Sequence, residues 1–144
     1  MKLDEKGYAA LHLREGLKLK PYLDTKGVPT IAMGNTYYLD GRKVTMGDKP
    51  LTLKEAQELS KIVADDFASK VDKAIISDVN QNQFNACVSL AYNIGAPGFK
   101  KSTALRLINA NPNDPNIGKA FMMWTKDKEL IGRRKSEVTQ YFSK

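Results

Sequence analysis

The sequence predicts an α+β protein, mainly helical, with a small antiparallel β-meander set apart from about six helices. Three observations carry that prediction. Behind a capping box from Thr52 to Glu55, apolar residues recur at steps of three and four through Ile75. Residues 81–94 are apolar around nearly the whole helical circumference, which marks a central, buried helix. Between residues 17 and 46, short β-prone runs are separated by Gly-containing turns.

The elements follow in chain order. A first helix is predicted over about residues 4–15, with Asp4 and Glu5 at its positive end and Gly16 at its C′ position. "LKLKPYLD", the turn "TKG" and "VPTIAMG" begin the meander. "YYLDGRKVTM" closes it, with Asp40-Gly41 as the type I′ hairpin pair. The long helix over about 53–75 has no interior Gly or Pro and can bridge the β lobe to a helical lobe. Asn80 and Gln83 form a second capping box, and Gly95 ends the helix behind it. On that helix Asn85, Ser89 and Asn93 make one polar stripe, either a solvated edge or the wall of a cleft. Ser102 caps a short helix through Asn109, Asp114-Pro115 opens another, and a last helix covers about 132–142.

The 144 residues suit one domain, or two small lobes that share helices. A net charge of +7 favours encounters with polyanions: nucleic acid, anionic lipid or anionic wall polymer. No apolar stretch is long enough to span a membrane, and the first residues lack the apolar run of a secretory signal.

Residue counts narrow the chemistry. The one cysteine, Cys87, lies in the apolar run "FNACVSLAY" and reads as a buried small hydrophobe. With a single histidine, His12, a zinc site of several His and Cys ligands is excluded, and His12 reads as a structural or surface residue. "NIGAPG" lacks the GK[ST] ending of a phosphate loop. Catalysis then falls most naturally to carboxylates, with no metal and no cofactor implied.

Glu15 ends a helix, Asp24 opens a turn nine residues on, and Thr30 follows six later in a β-like run. Glycoside cleavage needs one carboxylic acid to protonate the leaving oxygen and a second group to activate water or attack directly. Partial burial of Glu15 would favour its acid form, while Asp24 on a polar turn would stay charged and Thr30 would hold a water. Ordinary turn polarity explains the same residues: with 16 acidic residues, pairs nine apart are common.

The pattern Glu-x8-Asp-x5-Thr, embedded as "EGLKLKPYLDTKGVPTI", resembles the phage-type lysozymes, the lambdoid-phage endolysins in particular. "NQNQFNACVSLAYNIGAPGFKKSTALRLIN" is similar to that family's central helix and its Phe-x-x-Ser-Thr segment. "FMMWTKDKELIGRRKSEVTQYF" is similar to its closing Trp and Gly-Arg-Arg-x-x-Glu. The resemblance implies a single lysozyme-like catalytic domain over 1–144: a β lobe at about 17–51, a linking helix at about 53–75, and a helical lobe at about 80–142 with the N-terminal helix. It implies an endolysin that hydrolyses the β-1,4 bond between N-acetylmuramic acid and N-acetylglucosamine. Glu15 would be the general acid, and Asp24 and Thr30 would activate water on the opposite face, giving inversion. A covalent intermediate on Asp24 is the competing version; a carboxyl separation of about 6.5–9.5 Å goes with inversion and about 5–5.5 Å with retention. Tyr92, Asn93 and Ser102 would line the sugar cleft.

One segment departs from the family. Where it usually reads Thr-Ile-Gly-x-Gly-His, this chain has Thr30-Ile31-Ala32-Met33-Gly34-Asn35. Ala32 stands for a flexible glycine, and Asn35 for a histidine that supports the fold through a polar partner. Altered local stability and pH response are expected, with the catalytic trio intact. The resemblance also implies peptidoglycan glycan strands as partner, a monomer, no nucleic acid, and synthesis in the host cytoplasm before release to the wall. The basic C-terminal helix could also meet anionic outer-membrane lipid, though a solvated face explains its charge. Two readings compete: a wall-binding protein of the same fold with a crippled site, and a basic nucleic-acid-binding helical domain. Scattered basic residues without interleaved aromatics argue against the latter.

Overall fold

The computed structural model describes residues 1–144. It holds seven helices and one two-stranded antiparallel sheet. Helix α1 (Glu5–Glu15) stops where Gly16 takes φ 66° and its N–H bonds His12 O at 2.9 Å. Only a residue at ease in the left-handed region closes a helix this way, which is why glycine stands there.

Strands β1 (Lys18–Leu23) and β2 (Pro29–Ala32) pair with Tyr22 opposite Thr30 and Leu23 opposite Pro29. The meander is therefore smaller than the sequence predicts. Beyond β2 the chain makes only isolated bridges, Ile31 with Asn35 and Tyr37 with Lys43. Turns and side chains hold that segment in place of a third strand: Asp48 accepts from Tyr38 Oη at 2.7 Å and from Thr45 N at 2.9 Å. Asp40-Gly41 is not a type I′ pair, since only Gly41 has positive φ. Gly41 N bonds Tyr38 O at 3.0 Å, the signature of a three-residue loop with glycine in the left-handed position.

Helix α2 (Leu53–Ala74) begins with the expected capping box: Glu55 N donates to Thr52 Oγ1 at 3.1 Å, and Thr52 N to Glu55 Oε1 at 2.9 Å. The Asn80–Gln83 box opens α3 (Gln81–Ile94) in the same way. The later helices differ from the prediction at three points. The five-residue helix α4 (Ala96–Lys100) is too short for periodicity to reveal; Gly95 is its N-cap and Pro97 lies in its first turn. Helix α5 (Thr103–Ala110) is capped by Ser102 as predicted. Asp114-Pro115 forms a turn, and α6 (Ile117–Met122) starts after it. Helix α7 (Glu129–Tyr141) begins three residues before the predicted start.

The chain forms two compact units, Tyr8–Asp65 and Met1–Gly7 with Asp66–Lys144. Both α1 and α2 pass from one into the other. In the first, Ile31, Ala32, Val44, Ala56 and Leu59 form the core. In the second, Phe84, Leu90, Phe99, Ile108, Phe121 and Tyr141 are buried, with the last two rings 5.7 Å apart.

The polar stripe on α3 is neither solvated edge nor bare wall over its first two members. Asn85 and Ser89 are 2% and 1% exposed. Asn85 donates to Asp4 Oδ1 at 2.8 Å, and Ser89 donates to Glu137 Oε2 at 2.5 Å. Gly7 sits so close to Asn85 that an added Cβ would lie 2.6 Å from its amide oxygen. The Gly-Arg-Arg-x-x-Glu segment builds the other half of this network. Arg134 and Glu137 are both 0% exposed and bonded to each other. Arg134 also donates to Trp124 O at 3.0 Å and to Asn93 Oδ1, while Arg133 Nε reaches Glu137 Oε2 at 3.2 Å. Every buried side-chain nitrogen and oxygen has a hydrogen-bond partner, as an interior of low dielectric requires. No helix is long and apolar enough to cross a membrane.

Candidate active site

Glu15, Asp24 and Thr30 all belong to the Tyr8–Asp65 unit. Glu15 is the last residue of α1 and is half-buried. Asp24 follows β1 and opens the hairpin. Gly27 N bonds Asp24 O at 3.0 Å, and Gly27 takes φ 76°. The Asp24 carboxylate fastens the loop from inside: Oδ1 accepts from Lys26 N at 2.8 Å and from Val28 N at 2.9 Å. Such an Asx turn fixes the side chain without a neighbouring cation. These bonds use one oxygen only, so Oδ2 keeps its accepting capacity.

Thr30 lies on β2 and is 2% exposed. Its Oγ1 donates to Val28 O at 2.8 Å. That bond consumes the hydroxyl proton, so toward any further partner Thr30 can only accept. Val28 thus ties the two residues together: its N–H holds Asp24, and its carbonyl holds Thr30.

The sequence reading missed Tyr22. It stands directly across the sheet from Thr30 and two residues before Asp24. Directly opposed residues share a face, and so do residues two apart on a strand. Strand alternation places it on the face of Thr30. Burial, then the negative charges of Asp24 and Glu15, push the Tyr22 phenol above its usual value.

Tyr92, Asn93 and Ser102 lie in the other unit. Tyr92 packs edge-on against Phe67, with ring centres 5.1 Å apart. Asn93 is exposed, and Arg134 holds its carbonyl oxygen, which leaves the NH2 end as a donor. Ser102 is 6% exposed, and its hydroxyl is committed to the cap: it donates to Phe99 O at 2.7 Å and accepts from Leu105 N at 3.0 Å. It borders a recess of about 310 Å³ with Lys100, Lys101 and Arg106. A cavity of about 790 Å³ beside Tyr38, Arg42 and Lys54 includes none of the trio.

The two family departures are structural. Ala32 takes φ 59°, and a left-handed L-residue costs about 1–2 kcal/mol. Its methyl is buried in the core, which offsets about 0.8 kcal/mol of that cost. Asn35 is 5% exposed; Nδ2 donates to Leu59 O at 3.0 Å, and Oδ1 accepts from Met33 N at 3.3 Å. It pins the turn after β2 to α2 with a group that cannot titrate.

The single histidine, His12, lies in the same unit. Ser60 Oγ donates to Gln57 O at 2.7 Å, so the 2.7 Å contact between His12 Nε2 and Ser60 Oγ runs from the imidazole N–H to the hydroxyl. Burial, then the charge of Lys61, lowers the His12 pKa. A lowered folded value means that the unfolded chain binds the proton more readily, so this stability is present above the unfolded pKa and lost as pH falls. Melting wild type and His12→Gln at pH 7 and pH 5 checks the sign: the wild-type advantage should shrink at pH 5.

Residues 12–137 match the phage lysozyme family. The chain is 33% identical over 147 residues to the endolysin of Salmonella phage P22, with 99% of each covered. A P22 lysozyme crystal structure, of a point variant, superposes with a TM-score of 0.89 at 33% identity over 99% of both chains. The endolysin of Escherichia coli O157:H7 phage FAHEc1 superposes with a TM-score of 0.85 at 34% identity, over 99% of this chain and 94% of that one. Family match, full-length relatives and fold agree, and the chain belongs to the phage lysozyme family.

Proposed function

We propose that this phage lysozyme cleaves the β-1,4 bond between N-acetylmuramic acid and N-acetylglucosamine by inversion, as an endolysin that lyses a bacterial host. Glycoside hydrolysis of peptidoglycan is the activity of the family. The division of labour is the finer reading. Glu15 protonates the leaving glycosidic oxygen. A water donates one hydrogen to Asp24 Oδ2 and the other to Thr30 Oγ1. Its lone pair is then turned toward the anomeric carbon, and Asp24 takes the proton as the C–O bond forms.

The observation that carries this reading is the direction of the hydrogen bonds around Val28. They leave Asp24 and Thr30 with free accepting capacity only, which suits the two hydrogens of a water. They also fix Asp24 through backbone N–H groups, and so leave it less free to swing in as a nucleophile. Tyr92 and Asn93 are proposed sugar contacts, the first by its ring and the second by its amide NH2. The part proposed for Ser102 is to hold α5 through its cap. One chain supplies the whole trio, which fits a monomer, and its +7 charge draws it to the anionic wall. The test is release of reducing ends from purified peptidoglycan, present with wild type and absent with Glu15→Gln. A wall-binding protein with a dead site would adsorb without release.

A further inference from the structure

We propose that His12 and Ser60 are positioning residues for the general acid: one turn of α2, residues 57–60, holds both the end of α1 that carries Glu15 and the turn that follows Thr30, and so fixes acid and water site relative to each other. The inference rests on the functional reading above and adds two residues to it. The connection is a chain of hydrogen bonds within the Tyr8–Asp65 unit. On the water side, Thr30 is followed by Ile31, which exchanges backbone bonds with Asn35: Ile31 N donates to Asn35 O at 2.8 Å, and Asn35 N to Ile31 O at 3.0 Å. Asn35 Nδ2 then donates to Leu59 O at 3.0 Å. On the acid side, the next residue of α2, Ser60, accepts from His12 Nε2 at 2.7 Å. His12 stands three residues before Glu15 on α1, so the two are neighbours on the surface of that helix.

Burial makes this chain stiff. Ile31 and Ser60 are 0% exposed, Leu59 2% and Asn35 5%. The Ser60 hydroxyl is held at both ends, since it donates to Gln57 O at 2.7 Å while it accepts from His12. It cannot turn away without leaving a buried polar group unpaired. His12 also closes α1, because its carbonyl takes Gly16 N at 2.9 Å. One residue thus ends the helix and docks its end. Further ties lie earlier on α1: Tyr8 Oη donates to Asp65 Oδ1, and Leu11 is buried. They keep α1 docked when the His12 bond is lost, but they hold it a turn or more away from Glu15. Loss of the His12–Ser60 bond therefore loosens the acid and spares the fold.

His12→Leu removes the donor, and His12→Gln keeps an N–H near the place of Nε2. Assayed on soluble glycan strands well below its melting temperature, His12→Leu is expected to show kcat lowered about 10–100-fold with KM changed less than about twofold, as for a misplaced catalytic group. His12→Gln should stay within about threefold of wild type in kcat. A 4-nitrophenyl β-glycoside of the same strand separates the acid from the rest of the site, because its leaving group departs without a proton. On that substrate the His12→Leu loss should shrink below about threefold. Wild-type kcat in His12→Leu, a His12→Gln as slow as His12→Leu, or an equal loss on both substrates overturns the inference. Should His12→Leu fold poorly, Ser60→Ala removes the acceptor instead, and the same split between the two substrates is expected of it. Glu15→Gln separates the two levels. Full activity of that variant on glycan strands would sink the site assignment itself, whereas an inactive Glu15→Gln beside an unaffected His12→Leu would sink only the role of His12 and Ser60.

Discussion

Glu15→Gln is expected to lower lysis of outer-membrane-permeabilised bacteria by about 10²–10⁴-fold, the range that a positioned general acid supplies. The amide matches the carboxylic acid in size and shape but cannot deliver the proton that the leaving oxygen needs. Folding should change little. Glu15 is half-buried at the end of a helix, outside the core of its unit, and its helix is closed by Gly16 rather than by its own side chain. The isosteric amide keeps the side-chain volume and still accepts hydrogen bonds, so the change should stay near the low end of single substitutions, about 0.5 kcal/mol or roughly 2 °C in a chain of this size. Turbidity loss and a thermal melt on one preparation therefore separate lost chemistry from lost structure. Lysis at the wild-type rate would remove Glu15 from the mechanism.

The largest effect on stability should come from the other unit. Glu137→Ala leaves the guanidinium of Arg134 with no carboxylate in a site where both residues are 0% exposed. Breaking one side of a buried ion pair costs about 3–5 kcal/mol, because the remaining charge stays in low dielectric. For a domain of this length that is about 10–15 °C in melting temperature. Ser89 Oγ and Arg133 Nε lose their acceptor in the same step. A melt within about 2 °C of wild type would show that water reaches the site and solvates Arg134, which contradicts the buried network.

Much of the fold is legible in the sequence because its signals are local. The two capping boxes each name a residue and its partner three positions on, and periodicity then runs with the helix. Gly16, Gly27 and Gly41 mark turns for the same reason. What is hidden depends on distant partners. Asn85 and Ser89 look like surface on a helical wheel, yet their partners Asp4 and Glu137 lie 81 and 48 residues away. The second half of the meander is held by Asp48 and short turns, a pattern without alternation.

The site divides along the same line. Glu15, Asp24 and Thr30 are visible as a spacing, but their roles came through the family resemblance. The direction of the Thr30 hydrogen bond, which makes the hydroxyl an acceptor, needs coordinates. Asn35 is visible as the residue standing for a histidine. Its task, bonding Leu59 O from the turn after β2, is not. His12 is bonded to a serine 48 residues away that no sequence pattern links to it.

The central claim is that Asp24 and Thr30 hold an attacking water on the face of the sugar opposite Glu15. The anomeric configuration of the first product tests it most directly. Proton NMR during the first turnovers, before mutarotation, reads the new reducing end of the muramic acid. Attack by that water on a β-linked strand gives the α-anomer. A β-anomer would mean two displacements through an intermediate on Asp24, and would contradict the account.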